Sequence, residues 1–219
     1  MNLLIIGAPG AGKGTMSSFL VNQCNLVHIS TGDMLREAMK NKTPLGLQVQ
    51  ECMDSGKLVP DEIIHGIITE RLKKDDIDNG FLFDGYPRTL AQAIDLESIL
   101  KELNKKIDAV LNLQLDDEVI IKRITGRRTC SKCGAIYNVY FSAPKTENIC
   151  DVCGEKLTTR GDDNEESLKI RLNEFYKNTA PVVDYYKKQN IVYNIDAAKD
   201  VDGELKEIQK VLEGLKWFR

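Results

Sequence analysis

A glycine-rich segment near the N-terminus is suited to binding phosphate. Residues 7–15 have the sequence GAPGAGKGT, in which glycines allow backbone N–H groups to turn inward around an anion. A helix that starts there presents its positive end to the same charge, and Lys13 can reach the phosphate that is transferred. Thr15 can approach a phosphate or the shell of a bound Mg²⁺. We therefore expect nucleotide contacts from Gly10, Ala11, Gly12, Lys13, Gly14 and Thr15.

This segment differs by one residue from the strict phosphate-loop pattern, in which Ser or Thr directly follows the lysine. Here Gly14 separates Lys13 from Thr15, which disfavours the arrangement found in GTPases and ATPases. The guanine-specifying pattern N-K-x-D is also missing from the sequence, because the segment NKKI ends in Ile107.

A carboxylate follows a short apolar segment, Phe81–Phe83, which we predict to be a buried strand. Ligands bind at the carboxyl edge of such sheets, so Asp84 is placed to hold Mg²⁺, directly or through water. The alternative is an aspartate that caps the turn before Gly85. The position beside the phosphate-binding segment favours the metal.

Four of the six cysteines form two C-x2-C-G turns that are separated by 16 residues. Four thiolates in a tetrahedron form a structural zinc site, which has no open position for a substrate. A reversible disulfide and an iron–sulfur cluster remain as alternatives. The predicted zinc ligands are Cys130, Cys133, Cys150 and Cys153.

Predicted strands and helices alternate along the chain, and these elements hold the candidate residues in position. The pattern favours a mostly parallel sheet with helices on both faces, and a small β-rich insert at 126–163. We predict strands at 2–6, 27–30, 81–83, 109–115 and 191–195. We predict helices after the glycine-rich segment, at 33–56 with a break at Pro44, at 61–74, 89–103 and 116–125, from Glu165 with an interruption near Pro181, and at 202–217.

The composition limits the class of protein. The 219 residues carry 30 basic and 33 acidic side chains, which excludes a general nucleic-acid coat protein because such proteins need a large positive excess. No apolar run approaches the roughly 18 residues that a membrane span requires. The N-terminus lacks a basic region and a long apolar stretch, so we expect no signal peptide and a cytosolic location.

Several further segments resemble adenylate kinases, specifically the bacterial type with a long lid that carries zinc. The resemblance covers the whole chain, and the Gly after Lys13 is typical of nucleoside monophosphate kinases of this kind. The segments that carry it are STGDMLR at 30–36, GKLVPD at 56–61, DGYPRT at 84–89 with Gln92, Arg123 with GRR at 126–128, and RGDD at 160–163 with Arg171.

The resemblance implies an α/β fold of the P-loop type, with three layers (α/β/α), five parallel strands and a small β-rich lid. It implies a core made of residues 1–29, 60–125 and 164–219. Residues 30–59 would form a mobile AMP-binding segment, and residues 126–163 a zinc-binding lid.

The resemblance also implies residue roles, since the planar guanidinium of arginine binds phosphate oxygens in pairs. Taken singly, each arginine has the alternative of a solvated surface residue, and Gln92 that of an exposed helix residue. The implied catalytic residues are Lys13, Arg88, Arg123, Arg160 and Arg171. The implied AMP ligands are Thr31, Arg36, Lys57, Val59, Gly85, Arg88, Gln92, Arg160 and Arg171, with the Gln92 carboxamide on adenine. Arg127, Ile136 and Tyr137 complete the implied ATP site.

The implied reaction is ATP + AMP ⇌ 2 ADP with Mg²⁺, in a monomer without nucleic-acid or membrane partners. A kinase of another nucleoside monophosphate is one alternative, which Gln92 and Thr31 disfavour. A zinc-ribbon nucleic-acid-binding module on an ATPase is another. The insert at 126–163 holds about as many acids as bases, so it lacks the positive surface that such a module needs.

Overall fold

The strands of this computed structural model, which describes residues 1–215, form two separate sheets. The strands are β1 (Asn2–Gly7), β2 (Val27–Ser30), β3 (Phe81–Asp84), β4 (Ala109–Gln114), β5 (Arg127–Cys130), β6 (Ile136–Asn138), β7 (Leu157–Thr158) and β8 (Val192–Asp196). The larger sheet has the order β2-β3-β1-β4-β8, and all its pairs are parallel. The predicted five-stranded parallel sheet is therefore confirmed.

Helices cover both faces of this sheet, as the predicted three-layer fold requires. The described helices are α1 (Lys13–Cys24), α2 (Thr31–Lys40), α3 (Pro44–Ser55), α4 (Asp61–Leu72), α5 (Leu90–Glu102), α6 (Asp117–Thr125), α7 (Glu165–Glu174), α8 (Ala180–Lys187) and α9 (Val201–Gly214). The predicted end of the last helix at residue 217 lies outside the described residues. Within residues 1–215, no helix has the length and apolar composition needed to cross a membrane.

Two apolar cores lie on opposite faces of the sheet, because successive side chains of a strand point to opposite faces. Along β1, Leu4 and Ile6 enter one core, whereas Leu3 and Ile5 enter the other. Helices α4, α5 and α8 contribute to the first core, and α1 and α9 to the second. The continuous apolar run of β1 thus reflects a strand that is buried on both faces.

Two short elements were not predicted. A 3₁₀ helix at Asp75–Asn79 follows α4, and a π-helical turn at Phe175–Thr179 joins α7 to α8. The helical interruption that we expected near Pro181 is therefore this π turn. Pro181 itself lies in the first turn of α8, where proline is tolerated because its missing N–H has no partner inside the helix.

The insert contains the small antiparallel sheet, with the order β6-β5-β7. Its own buried apolar cluster consists of Cys130, Cys150 and Leu157. Several large apolar side chains of the insert are exposed instead, among them Tyr140 and Val152. Such a segment buries too little apolar area to be stable by itself, so it needs another source of stability.

One helical glycine permits close packing of α2 against α3. A Cβ atom built on Gly46 would contact the backbone of Ala38 and Met39, whereas one built on Gly66 in α4 would meet nothing within 4 Å. We predict that Gly46→Ala lowers the melting temperature by several degrees, because overpacking costs about 1–3 kcal/mol. The control Gly66→Ala should raise it slightly, since alanine is favoured in helices by about 0.5–1 kcal/mol. Calorimetry that finds equal effects in both variants would contradict this packing.

Candidate active site

A cavity of about 1180 Å³ lies at the carboxyl edge of the parallel sheet. The register pairs Ile5 of β1 with Asp84 of β3, which brings the glycine-rich loop after β1 next to that carboxylate. The predicted nucleotide-site and magnesium-site residues that line the cavity are Gly10, Gly12, Lys13, Gly14, Thr15, Arg36, Asp84, Gly85, Arg88, Arg123, Arg127, Ile136, Tyr137, Arg160 and Arg171. Ala11, Thr31, Lys57, Val59 and Gln92 are not among the lining residues.

The glycine-rich loop adopts the conformation that an anion site requires. Gly10 and Gly12 have φ angles of 83° and 99°, in the left-handed region that side chains disfavour. Gly12 is the N-cap of α1 and no side chain of the described residues caps that end, so the positive end of α1 is available to a ligand.

Lys13 is turned back onto the loop. Its Nζ donates hydrogen bonds to the carbonyl oxygens of Gly7 at 2.8 Å and of Ala8 at 3.0 Å. Burial, opposed by the nearby charge of Asp84, lowers the pKa of Lys13 to about 8. A buried ammonium group that is held by neutral carbonyls would gain most from an anion beside it.

Six arginines face the same cavity, and burial together with the charges of neighbouring arginines lowers the pKa values of Arg88, Arg160 and Arg171. Burial, followed by the charge of Arg171, lowers the pKa of Arg88 to about 10. Burial, followed by the charges of Arg36 and Arg127, lowers the pKa of Arg160 to about 10. All of these side chains remain charged at neutral pH, so the cavity holds a concentrated positive charge.

Carboxylates at the end of the insert neutralise part of this charge. The Arg127 guanidinium binds Asp163 with two hydrogen bonds, one of them 2.7 Å long from Nε. Arg171 lies 2.9 Å from Asp162 and 3.6 Å from Asp163. We did not assign a role to these two aspartates, although the signal was present: two adjacent acids close the insert directly after Arg160 and Gly161.

Other arginines are fixed by local partners. Arg36 pairs with Asp33 one turn earlier on α2, at 2.5 Å, and Arg88 donates from Nε to the carbonyl of Gly85 at 2.7 Å. Arg123 donates to the carbonyl of Ala197 at 2.9 Å. These bonds hold the guanidinium groups near the cavity before a ligand arrives.

Gln92 is buried at the start of α5 instead of projecting into the cavity. Its Oε1 accepts a hydrogen bond from the backbone N–H of Arg88 at 2.7 Å, and its Nε2 donates to Asp61 at 2.6 Å. A carboxamide has two donor hydrogens and two acceptor lone pairs, so one of each remains for a ligand. Thr31, which donates from Oγ1 to the carbonyl of Gly85, is buried as well.

Asp84 has a histidine for a neighbour, which the sequence did not predict. His28 Nε2 lies 3.6 Å from the carboxylate, two residues before the end of the adjacent strand β2. A carboxylate in this position suits Mg²⁺, which binds through one or two protein carboxylates together with substrate phosphates and water.

The amino-acid sequence that forms this cavity is similar to known proteins along almost the whole chain. A family model described as adenylate kinase matches residues 5–191. This chain belongs to the adenylate kinase family. The adenylate kinase of Archaeoglobus fulgidus is 50% identical over 216 residues, which are 99% of this chain and 100% of that protein. The adenylate kinase of Bacillus subtilis is 48% identical with the same coverage. That of Methanosarcina barkeri is 49% identical over 213 residues, 97% of this chain and 99% of its own.

The cysteine cluster of this adenylate kinase family member fits a structural zinc ion. The sulfur atoms of Cys130, Cys133, Cys150 and Cys153 all lie within 4.8 Å of one another. A tetrahedral site with Zn–S bonds of about 2.3 Å places its sulfurs about 3.8 Å apart, which these positions approach. Gly134 and Gly154 follow the two cysteine pairs with φ angles of 76° and 73°, as the predicted tight turns require.

The surroundings of the cluster favour the thiolate, the form that binds metal, at Cys130 and Cys150, whose pKa values are lowered. At Cys133 and Cys153 burial and hydrogen bonds among the sulfurs raise the pKa against the effect of backbone hydrogen bonds. Burial opposes ionisation of Cys150, but hydrogen bonds, first that of the Tyr137 hydroxyl, lower its pKa to about 6. The same hydroxyl accepts the backbone N–H of Asp151 at 2.8 Å. Tyr137, an expected ATP contact, therefore uses its hydroxyl at the cluster and can offer only its ring or backbone to a nucleotide.

We predict that zinc stabilises the lid of this adenylate kinase family member. Removal of the metal with a chelator should lower the melting temperature by about 5–10 °C, because the insert has so small a core of its own. Cys133→Ser should show the same loss and no further response to chelator. Cys52→Ser, a half-buried cysteine outside the cluster, should keep the response of the unmodified protein. An unmodified protein that contains no zinc by metal analysis and melts identically with chelator would contradict the site.

Proposed function

We propose that this protein catalyses reversible phosphoryl transfer from MgATP to AMP, giving two ADP. The observation that carries the proposal is the convergence of Lys13 and six arginines on one cavity beside a glycine-rich loop and Asp84. The full-length similarity to adenylate kinases supports it. A site with so much positive charge is suited to two polyanions that must be brought together.

Phosphoryl transfer requires little covalent chemistry from the protein. The attacking oxygen of the AMP phosphate is already anionic, so no general base is needed. The task is to align donor and acceptor and to stabilise the charge that spreads over the moving group. We assign this role to Lys13, Arg88, Arg123, Arg160 and Arg171.

The donor and acceptor nucleotides would occupy opposite ends of the cavity. The glycine-rich loop, with Arg127, Ile136 and Tyr137, would bind ATP, and Asp84 would hold Mg²⁺, directly or through water. Bound Mg²⁺ supplies charge neutralisation for the phosphate chain. The acceptor end would use Arg36 and Arg88 for the AMP phosphate and Thr31, Lys57, Val59, Gly85 and Gln92 around the nucleoside.

Three parts of the chain would have separate roles in binding the nucleotides and closing over them. Residues 1–29, 60–125 and 164–219 would form the core, although its last four residues lie outside the described part of the chain. Residues 30–59 would form the AMP-binding segment, and residues 126–163 the lid. Closure of the lid would exclude water that otherwise hydrolyses ATP, and zinc would keep the lid rigid while its ends bend. Arg127 and Arg171 would exchange their aspartate partners for phosphate on closure.

We further propose that the protein acts as a monomer in the cytosol, without nucleic-acid or membrane partners. The evenly balanced charge of the chain supports the lack of a nucleic-acid partner, because a nucleic-acid-binding protein needs a positive surface excess. A salt-dependent binding assay with RNA and DNA and a measurement of molar mass in solution test these two points.

A coupled assay of ADP formation tests the proposed reaction. ATP and Mg²⁺ are supplied with AMP, CMP, UMP or GMP in turn, and we expect AMP to be the preferred acceptor by at least about 100-fold. Preference for another monophosphate would replace adenylate kinase activity by that of a related kinase. Phosphate release without a monophosphate requirement would indicate an ATPase and overturn the proposal.

Removal of the central cations should abolish turnover without unfolding the protein. We predict that Lys13→Met and Arg88→Ala each lower kcat by at least about 100-fold, because each removes charge that stabilises the moving phosphoryl group. Lys73→Met, which alters an exposed lysine paired with Glu70, is the control and should be fully active. Near-normal turnover of either site variant would refute its assignment, provided that circular dichroism shows both to be folded.

Gln92 should act as a selectivity residue for the acceptor base. We predict that Gln92→Ala weakens AMP binding about tenfold and changes ATP binding less than twofold, since a carboxamide pairs with adenine through one donor and one acceptor. Gln189→Ala, outside the cavity, is the control.

Because Gln92 accepts a hydrogen bond from the backbone N–H of Arg88, the Gln92→Ala variant must also be compared for its binding of other monophosphates. If the loss arose only from displacement of Arg88, all monophosphates would be weakened equally because Arg88 would bind their shared phosphate. The adenine role therefore predicts that the ratio of AMP affinity to GMP affinity falls. An unchanged ratio in calorimetric titrations would rule out recognition of the base by Gln92.

A further inference from the structure

A buried glutamate lies beside the phosphate loop and has no role in the reaction as described so far. Glu204 is in the first turns of α9, and its side chain is only 3% exposed to solvent. Its Oε2 atom is buried and has no hydrogen-bond partner among the described residues. A carboxylate in such surroundings is costly, so its position needs a reason.

The carboxylate faces the loop that would bind the triphosphate. A Cβ atom built on Gly12 would lie 3.6 Å from Glu204 Oε2 and 3.5 Å from Arg123 Nη1. Glu204 Oε1 lies 3.9 Å from Arg123 Nη2, which donates its hydrogen bond to Ala197. Glu204 and Arg123 are therefore a pair of opposite charges that lie beside the glycine that precedes Lys13.

The charged groups around Glu204 come from each element packed against it. Arg123 approaches from α6, Asp196 lies at the end of β8, and Asp200 and Glu207 belong to the start of α9 and its second turn. Lys199 is already paired with Asp196 and Glu207. Burial first, and then these carboxylates, raise the pKa of Glu204 to about 7 against the effect of Arg123.

Binding of a triphosphate changes the balance between the ionised and the protonated form of Glu204. The phosphates bring several negative charges to the loop that Glu204 faces, and repulsion between like charges is strong where solvent is excluded. A weaker attraction to Glu204 would also leave more of the charge of Arg123, which already lines the cavity, for the nucleotide. Both effects favour the neutral form of the carboxyl group.

We propose that the Glu204 carboxylate, in those molecules in which it is ionised, takes up a proton from solvent when ATP binds, and thereby releases the positive charge of Arg123 for the nucleotide. The carboxylate becomes a carboxylic acid, and no other bond changes. Glu204 is thus a positioning residue for the donor end of the cavity. This inference rests on the proposed function, because it takes the glycine-rich loop as the ATP site.

The sign of the pH dependence follows from linkage. A group that binds its proton more tightly in the complex than in the free protein makes binding weaker as pH rises through its free pKa. ATP affinity should therefore fall between about pH 6.5 and 8.5. AMP affinity should not change through Glu204, because the AMP phosphate would bind Arg36 and Arg88 rather than the loop.

Calorimetric titration with MgATP at pH 7.0, in buffers of different ionisation enthalpy, counts the protons that are taken up. We expect the unmodified protein to take up about 0.3–0.5 more protons than Glu204→Gln, which keeps the shape but cannot titrate. The difference between the two proteins removes contributions from the nucleotide and from Lys13. Glu213→Gln, an exposed position near the other end of α9, should match the unmodified protein.

Affinities give the second readout. From pH 6.5 to 8.5, Kd for MgATP should rise about fivefold more in the unmodified protein than in Glu204→Gln, and Kd for AMP should show no such difference. If Glu204 had only a structural role, Glu204→Gln would change the stability of the protein but not the number of protons taken up when MgATP binds.

Each outcome decides the inference. Equal proton counts and parallel pH profiles in the two proteins would overturn it while leaving the proposed function intact. Failure of the unmodified protein to bind MgATP would instead refute the proposed function. If Glu204→Gln does not fold, Glu204→Leu, which also removes the charge at similar volume, supplies the same comparison.

Discussion

The mutual repulsion of positive charges around one cavity is the constraint on which the rest of this structure depends. Lys13 and six arginines face that cavity, where burial lowers the pKa values of Lys13, Arg88 and Arg160. Aspartates and backbone carbonyls hold most of these groups in place, namely Lys13, Arg36, Arg88, Arg123, Arg127 and Arg171. Nucleotide phosphates would replace those partners, so the charges that destabilise the free protein become the binding energy of the complex.

The fold supplies the geometry that this charge cluster needs. Parallel strands bring the loop after β1 and Asp84 of β3 to one edge, and α1 begins where the phosphates would lie. The insert carries Arg127 and Arg160 but has almost no apolar core, and four cysteines lie where one zinc ion would join its two ends. Parallel strands therefore hold the residues at the centre of the site, and the small insert, with its zinc-compatible cysteine cluster, holds those at the rim.

Residues that a chemical task requires at a fixed spacing could be predicted from the sequence. Residues that meet their partners only in the folded chain could not. The glycine-rich loop, the cysteine pairs and the parallel sheet follow from spacing and periodicity. The partners of the arginines do not, because Asp163 and Arg127 are 36 residues apart and meet only when the insert folds. Glu204 resembles any acid in the first turns of a helix, and only the structure reveals that it is buried against Gly12. The hydrogen bonds of Gln92 to Arg88 and Asp61 could not be predicted either, because they too form only in the folded chain.

Phosphorus NMR of ADP alone tests the central claim most directly. Purified protein is mixed with ADP and Mg²⁺, and the resonances of all phosphates are followed with time. If the cavity joins two nucleotides and transfers a phosphoryl group between them, ATP and AMP should appear in equal amounts without inorganic phosphate. Unchanged ADP, or AMP accompanied by inorganic phosphate instead of ATP, would contradict the account.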